Sequence, residues 1–300
     1  MACYGPLTAY YTAEYGKSGK RGITFDRKRS LSGVPFSVPC GRCIGCRLNR
    51  ALQWSIRCMH EKQLHSESCF ITLTYNDDNL PYGSTLVGRD LTLFMKRLRK
   101  AHGPVRFFAA GEYGDTTQRP HYHILLLNRS FPDLVKYAQG KTGEPLYTSK
   151  ALAKLWTFGD HYIGAVTPDS CAYVARYCLK KVTGDKASAH YEAVTDYGEI
   201  VMREAEFARW SIALAKEWYA KYGKGVRDWD TVVVDGQEIP PPKFYDSLLE
   251  KVDPDAYATL KVNRRRRGLL KKADNTTSRL RVRETLHLRK IAMFKQRTFL

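Results

Sequence analysis

Arg119-Pro120-His121-Tyr122-His123-Ile124-Leu125-Leu126-Leu127 is the stretch that decides the fold. Its apolar run is short, β-prone and preceded by a proline, which predicts a buried strand. Side chains of a strand alternate between two faces, so His121 and His123 share one face and Tyr122 takes the other. Two imidazoles on one face can hold a divalent metal, and a catalytic site asks for at least one more ligand and an open position. Val105 to Glu112 reads as the partner strand of a hairpin whose loop runs from Gly111 to Arg119. Directly opposed side chains of an antiparallel pair share a face, so Glu112 joins the histidines whichever of them it opposes. A His-His-Glu set suits Mg²⁺ or Mn²⁺ when phosphate oxygens and water fill the other positions. Taken alone, a His-x-His is more often part of an ordinary amphipathic strand; the tyrosine pair further along the chain weighs against that.

Tyr173-Val174-Ala175-Arg176-Tyr177 reads as part of a helix from Ser170 to about Lys181. Residues four apart lie on one helical face, so the two tyrosines stand one turn apart. Cys171, Val174 and Cys178 form a separate apolar flank that can seat the helix. A phenol, with a pKa of about 10, is a weak nucleophile at neutral pH. It needs a polarised phosphorus, which a metal supplies, and cations that favour the phenolate. Lys180 follows Tyr177 by three residues and Lys181 by four. Alone, this helix reads equally as one with tyrosines at the rim of a core. Beside the histidine strand, it suggests cutting and rejoining DNA through a tyrosine-linked intermediate.

Around these two elements the pattern is that of an α+β domain. Phe70-Ile71-Thr72-Leu73-Thr74-Tyr75 is a β-branched and aromatic strand ending in an Asn76-to-Asn79 turn. Asp90 can cap a helix from Leu91 to Ala101 with Leu91, Phe94, Met95 and Leu98 inward. A short helix is expected at Leu152–Trp156, a strand at His161–Val166 and a helix at Phe207–Tyr222. Gly140-Lys141-Thr142 resembles the end of a phosphate loop, but position 135 is Val where that motif needs Gly. The chain therefore carries no visible ATPase motor. The segments divide as a basic N-terminal arm (1–35), a cysteine-rich turn and helix (36–66), a core (67–182), an accessory helical region (183–262) and a basic tail (263–300).

The chain has 300 residues, is 43% apolar and has a formal net charge of +19. That charge points to a polyanionic partner, most simply nucleic acid. Residues 261–300 alone carry +12, with Arg264, Arg265, Arg266 and Arg267 at their start. The 19 Tyr, 12 Phe and 5 Trp can stack on unpaired bases. No apolar run reaches the length of a membrane span, and the start lacks a signal-peptide core, so a cytosolic protein without a membrane partner is expected. Eight cysteines in such a chain are not a disulfide framework. Cys40, Cys43 and Cys46 form a tight Cys-x-x-Cys-x-x-Cys, with Cys58 or His60 as a fourth ligand if the cluster holds zinc. Free, partly buried thiols and an iron–sulfur cluster remain open beside that reading.

The ordered set of a Phe-Ile-Thr-Leu-Thr-Tyr strand, Arg-Pro-His-Tyr-His and Tyr-Val-Ala-Arg-Tyr-Cys-Leu-Lys-Lys resembles the three motifs of the HUH endonuclease superfamily. The paired tyrosines resemble the two-tyrosine rolling-circle initiators. Pro39-Cys40-Gly41-Arg42-Cys43-Ile44-Gly45-Cys46-Arg47, with Trp54 and Arg57-Cys58-Met59-His60-Glu61, is closer still to the replication initiators of gokushoviruses, small single-stranded DNA phages of the microvirus family. The resemblance covers roughly residues 36–182 well. It implies a ferredoxin/RRM-like core, a central antiparallel sheet flanked by helices, with the histidine strand in the middle and the tyrosine helix above it. It implies His121, His123 and Glu112 as metal ligands and Tyr173 and Tyr177 as nucleophiles, with Lys180 as the motif's basic residue. It further implies origin and single-stranded DNA as substrate, a host polymerase and helicase as partners, and the cytoplasm of a bacterial host as the place of action. Lys181 and the Arg264–Arg267 run would add contacts to DNA. The rivals are a non-enzymatic DNA-binding protein with a cysteine zinc module, and a metallohydrolase of small phosphoesters.

Overall fold

A computed structural model of the chain describes residues 3–16, 19–140, 143–177, 182, 187–195, 197–234 and 236–297, with backbone alone for Tyr177 and for residues 294–297. The chain divides into two compact units, residues 1–50 with 255–300, and Ala51–Pro254. In the first, the aromatic and β-branched run of β1 (Leu7–Tyr15) pairs antiparallel with β2 (Arg21–Thr24) and β3 (Phe36–Val38). Tyr11 stacks on Phe36 across that sheet, ring centroids 4.3 Å apart. Much of the expected N-terminal arm is thus a paired sheet. Helix α1 (Ile44–Lys62) begins in this unit and its later turns belong to the second.

The second unit continues through β4 (Cys69–Thr74), α2 (Gly88–His102), β5 (Phe107–Tyr113), β6 (Pro120–Leu126), β7 (Leu134–Gln139), β8 (Pro145–Ser149), α3 (Lys150–Leu155), β9 (His161–Gly164) and α4 (Pro168–Tyr177). It ends with α5 (Ala187–Tyr191), β10 (Glu192–Val194), β11 (Ile200–Met202), β12 (Phe207–Trp210), α6 (Lys216–Trp229), β13 (Val232–Val234), β14 (Gln237–Ile239) and α7 (Lys243–Val252). Helices α8 (Pro254–Leu270) and α9 (Thr277–Arg297) then return the chain to the first unit. The expected basic tail is therefore helical over most of its length, and the four arginines lie within α8.

Seven strands form one antiparallel sheet in the order β12-β5-β6-β4-β9-β8-β7. The α+β class with a central antiparallel sheet flanked by helices is what the sequence predicts, and the histidine strand β6 lies inside it between β5 and β4. Both faces are covered. On one, Tyr122, Ile124 and Leu126 of β6 join Ile71 and Leu73 of β4 and Leu91, Phe94, Met95 and Leu98 of α2. On the other, Leu125 packs with Phe108, Cys58 of α1, and Cys171 and Val174 of α4. A strand buried on both faces reads as a continuous apolar run, as residues 124–127 do.

Three expectations need correction. Residues Phe207–Trp210 are the edge strand β12, not the start of a helix; they pair with β5, Phe207 opposite Gly111 and Trp210 opposite Phe108. The helix begins only at Lys216, because Ala213 and Ala215 take positive φ of 55° and 62°. That turn is gripped by side chains: Arg57 donates to the Leu214 carbonyl at 3.1 and 3.2 Å, and Glu61 accepts from the Ala215 amide at 2.5 Å. Next, Asp90 does not cap α2. The helix starts at Gly88 behind Val87, and the Asp90 carboxylate instead accepts from the Tyr75 hydroxyl at 2.7 Å. Finally, the hairpin loop is shorter than expected, because β5 runs on to Tyr113 and β6 starts at Pro120.

This packing has two measurable consequences. Gly159 lies against the end of β4, where an added Cβ would meet the Asn76 amide nitrogen at 2.3 Å and the Thr74 carbonyl oxygen at 2.5 Å. Backbone cannot yield as a flexible side chain does, so Gly159→Ala should lower stability by about 3 kcal/mol or more in denaturant unfolding. His60 of α1 stacks on Trp218 with ring centroids 3.5 Å apart, and its Nδ1 is 2.6 Å from the Tyr245 hydroxyl. Burial pushes its pKa from 6.5 down to about 4. The unfolded chain therefore binds a proton that the folded one excludes. This contribution to stability is complete above about pH 6.5 and is lost as pH falls through about 4. Denaturant midpoints should show His60→Gln losing less stability than the parent between about pH 7 and about pH 5, the difference approaching about 2 kcal/mol.

Candidate active site

On the face of the sheet that packs against α4, the pleat places side chains of β5, β6 and β4 in rows. Phe108, Leu125 and Phe70 form an apolar row. Ala110, His123 and Thr72 form the next, and Glu112, His121 and Thr74 the third. The face thus turns from apolar to polar within two residues along each strand. Glu112 is paired directly with His121, as one of the two expected registers requires. Ala110 beside His123 is small and leaves the ring room.

The three polar groups converge. Nε2 of His121 and Nε2 of His123 lie 2.7 and 3.1 Å from the same oxygen, Oε1 of Glu112. One ligand atom from each residue falls within 4.8 Å of the other two. Glu112 and His123 are buried, and His121 is half-buried. Burial raises the Glu112 pKa, but the hydrogen bonds from His121 and His123 outweigh it and hold the carboxyl at about 2. It is a carboxylate at any physiological pH.

The hydrogen-bonding of the rings bears on what this set can hold. His121 Nδ1 faces the Arg119 carbonyl at 3.1 Å, and a carbonyl only accepts, so Nδ1 carries a proton. In the neutral ring Nε2 is then a bare lone pair aimed at a carboxylate oxygen. Two acceptors that close need a proton or a cation between them. A ligating histidine ordinarily donates its other N–H to a carbonyl or carboxylate, which is the arrangement seen here. His123 Nδ1 has the Thr72 hydroxyl at 3.0 Å. Two imidazoles and a carboxylate, each oriented from behind, fit a divalent cation with positions left for phosphate oxygens and water.

Helix α4 is fixed from its start. Thr167 and Ser170 cap each other: the Thr167 amide donates to Ser170 Oγ at 2.8 Å and the Ser170 amide to Thr167 Oγ1 at 3.1 Å. Pro168 takes the first helical position, which has no amide to satisfy. Lys62 of α1 donates to the Val166 carbonyl at 2.5 Å just ahead of the cap. With Cys171, Val174 and Ala175 buried, Tyr173 is left at the polar end of the face, 40% exposed. Its ring meets His123 edge-on with centroids 5.2 Å apart, and Phe70 at 6.4 Å. Tyr177 is the last residue of α4. Lys180 and Lys181 lie outside the described residues.

Of the other residues singled out in the sequence, Cys40, Cys43 and Cys46 come together, and the residue that joins them is Cys3, not Cys58. Cys58 is fully buried in the apolar layer under α4, and His60 lies in the aromatic stack described above. Arg265, Arg266 and Arg267 are exposed on α8, and Arg264 is half-buried. Sequence reasoning passed over Thr72 and the Arg119 carbonyl, both of which orient histidines. The period-two spacing of Thr72 and Thr74 was a signal for the first. Nothing in the sequence marked the second.

No helix among the described residues is long and apolar enough to cross a membrane. The family model for replication-associated protein ORF2 matches residues 68–182, the span that contains β4, β6 and α4. No solved structure matches the chain. Replication-associated protein VP4 of Bdellovibrio phage phiMH2K is 34% identical over 268 residues, which cover 86% of this chain and 80% of that protein. Replication-associated protein ORF2 of Spiroplasma virus 4 is 30% identical over 277 residues, covering 86% of this chain and 83% of its own length. Replication-associated protein ORF4 of Chlamydia phage 1 is 28% identical over 243 residues, covering 76% of this chain and 57% of its own length. With relatives so similar over most of both chains, and with the family's matching span lying over the histidine strand and the tyrosine helix, this chain belongs to the replication-associated proteins of small phages, as its resemblance to gokushovirus replication initiators implies.

Proposed function

We propose that the protein initiates rolling-circle replication by nicking origin DNA through a tyrosine and later rejoining the displaced strand as a circle. The observation that carries this reading is Tyr173, exposed at the rim of α4 with its ring against His123, beside the only face position where Glu112, His121 and His123 converge among the described residues. These three residues would hold a divalent cation, Mg²⁺ or Mn²⁺, which when bound would polarise the scissile phosphate.

The phenol oxygen attacks phosphorus and loses its proton. The bond from phosphorus to the 3′ oxygen breaks, leaving a 5′-phosphotyrosine and a free 3′-OH. A host polymerase extends that 3′ end inside the bacterial cell, with a host helicase opening the duplex. The second tyrosine cleaves the regenerated origin, and the released 3′-OH attacks the first phosphotyrosine. One phosphoester is made for each one broken, so joining needs no nucleotide hydrolysis. Tyr173 and Tyr177 are the proposed pair, with Lys180 favouring the phenolate and Lys181 and the Arg264–Arg267 run contacting phosphates. Glu112, His121 and His123 work by position: buried, oriented from behind, and held in register by the ladder.

A labelled single-stranded origin oligonucleotide separates this reading from a purely DNA-binding role, because only the nuclease forms a covalent adduct. Tyr173→Phe and Tyr177→Phe should each leave part of single-turnover cleavage, whereas the double variant should form no adduct on denaturing gels. An adduct from the double variant would place the nucleophile elsewhere. His121→Ala should lower metal-dependent cleavage on the order of a hundredfold or more while origin affinity stays within about twofold, since phosphate contacts dominate binding. Cleavage undiminished in excess chelator would remove the metal from the reaction.

A further inference from the structure

The first unit contains a second donor cluster that the nicking reaction does not use. Cys3, Cys40, Cys43 and Cys46 each offer a sulfur, all four within 4.8 Å of one another. Cys3 Sγ is 3.6 Å from Cys40 Sγ and 3.9 Å from Cys43 Sγ. A zinc ion bound tetrahedrally by thiolates, at a Zn–S distance of about 2.3 Å, sets its sulfurs about 3.8 Å apart. Disulfide bonding would need far shorter contacts. A cubane iron–sulfur cluster would place each thiolate on a different iron and hold the sulfurs well beyond these separations. The spacing therefore fits one tetrahedral ion.

The surrounding backbone is arranged for negative sulfur. Amides of Cys40, Tyr4, Cys43 and Cys46 donate to Cys3 Sγ at 3.2 Å, Cys43 Sγ at 3.3 Å, Cys40 Sγ at 3.3 Å and Cys43 Sγ at 3.5 Å respectively. The last of these is the bond a helix cap makes, for Cys43 immediately precedes α1 and Cys46 is its third residue. A cap is ordinarily Ser, Thr, Asp or Asn, and α1 has no acidic residue in its first turn. Thiolate charge at this position supplies what the helix otherwise lacks. Cys3 reaches the site because β1, four residues on, pairs with β3, two residues ahead of Cys40.

We propose that Cys3, Cys40, Cys43 and Cys46 form a structural zinc site that clamps the N-terminal strand to the start of α1 and so seats Tyr4 against the basic helix α9. Tyr4 is the residue after Cys3. Its amide donates to Cys43 Sγ, while its hydroxyl lies 2.8 Å from His287 Nδ1 and its ring meets that histidine edge-on. The clamp thereby sets the position of a helix rich in arginine. This site is independent of the nicking chemistry and stands whether or not a tyrosine is the nucleophile.

The full-length protein, purified without added metal and dialysed against chelator, should retain about one zinc per chain, since the His-His-Glu ion is exchangeable. Cobalt substitution should give the intense thiolate charge-transfer and tetrahedral bands of a four-sulfur site. Cys3→Ser should release zinc to a chromogenic chelator at least about tenfold faster and should speed tryptic cleavage within α9. Cys3→His, which keeps a fourth ligand, should restore slow release with weaker sulfur-to-cobalt absorption. Cys58→Ala should leave the cobalt spectrum unchanged. Wild-type protein with no retained metal, iron with acid-labile sulfide, or a Cys3→Ser protein that matches wild type in zinc release would overturn the proposal. Unchanged cleavage of α9 in Cys3→Ser would sever the link from the clamp to the basic helix.

Discussion

The register of β6 is the constraint on which the rest depends. Both faces of this strand are buried, and the residues on them are of opposite kinds. Tyr122, Ile124 and Leu126 enter the layer under α2, while His121, His123 and Leu125 face α4. A slip of one residue would carry two imidazoles into an apolar layer and three large side chains out of it. Tyr122 enforces the register from behind. Its hydroxyl lies 2.7 Å from that of Tyr75, donates to the Val87 carbonyl at 2.9 Å, and accepts from the Val87 amide at 3.1 Å. Tyr75 in turn donates to Asp90. A buried network satisfied at each of these groups specifies one arrangement, since any other leaves hydroxyls or a carboxylate unpaired in the core. The residue between the two ligands thus fixes where they point without touching the site.

With the register held, the site is built by a gradient along the strands. Phe108, Leu125 and Phe70 form the row on which Cys171 and Val174 of α4 rest. The two rows beyond are polar or small, and there the helix presents Tyr173 in place of an apolar residue. The same helix and strands therefore supply the seat at one end and an opening at the other. A carboxylate buried as deeply as Glu112 would be destabilising alone. Sharing one oxygen between two histidines compensates for it, and the same sharing leaves the imidazole lone pairs directed at a single point.

Much of this was legible because the informative elements are long, periodic and central. Period two in residues 121–127 put the histidines on one face, and opposition across a hairpin put Glu112 with them. Spacing of four made Tyr173 and Tyr177 neighbours on a helix that ends, in the described residues, at Tyr177. What was not legible is where long-range packing overrides local pattern. Phe207-Ala-Arg-Trp has no strand signature of its own and becomes β12 because β5 offers an open edge. Ala213 and Ala215 carry no mark of positive φ; Arg57 and Glu61 of α1, with Arg106 just ahead of β5, hold that turn. Asp90 reads as a cap until the Tyr75 hydroxyl takes it. Arginine clusters in α8 look like a solvated tail because charge repetition is also the mark of disorder. Cys3 is separated from Cys40 by 37 residues, and only the pairing of β1 with β3 closes that gap.

The two donor clusters differ in a way that reflects their elements. Glu112, His121 and His123 are carried on adjacent strands of a sheet buried on both sides, so the ladder positions them before any ion arrives. A site so preorganised can let its ion exchange, because its geometry does not depend on occupancy. Cys3, Cys40, Cys43 and Cys46 sit on a chain start, a turn and a helix end, all partly exposed. There the three-stranded sheet brings the segments near, but no ladder runs through the sulfurs themselves. Cross-linking by a metal contributes most where the chain has least else to hold it, since binding free energy then becomes folding free energy. A hard, exchangeable cation on oxygen and nitrogen ligands and a soft-ligand clamp on sulfur can therefore coexist in one chain without competing, each matched by its donor atoms to a different kind of ion.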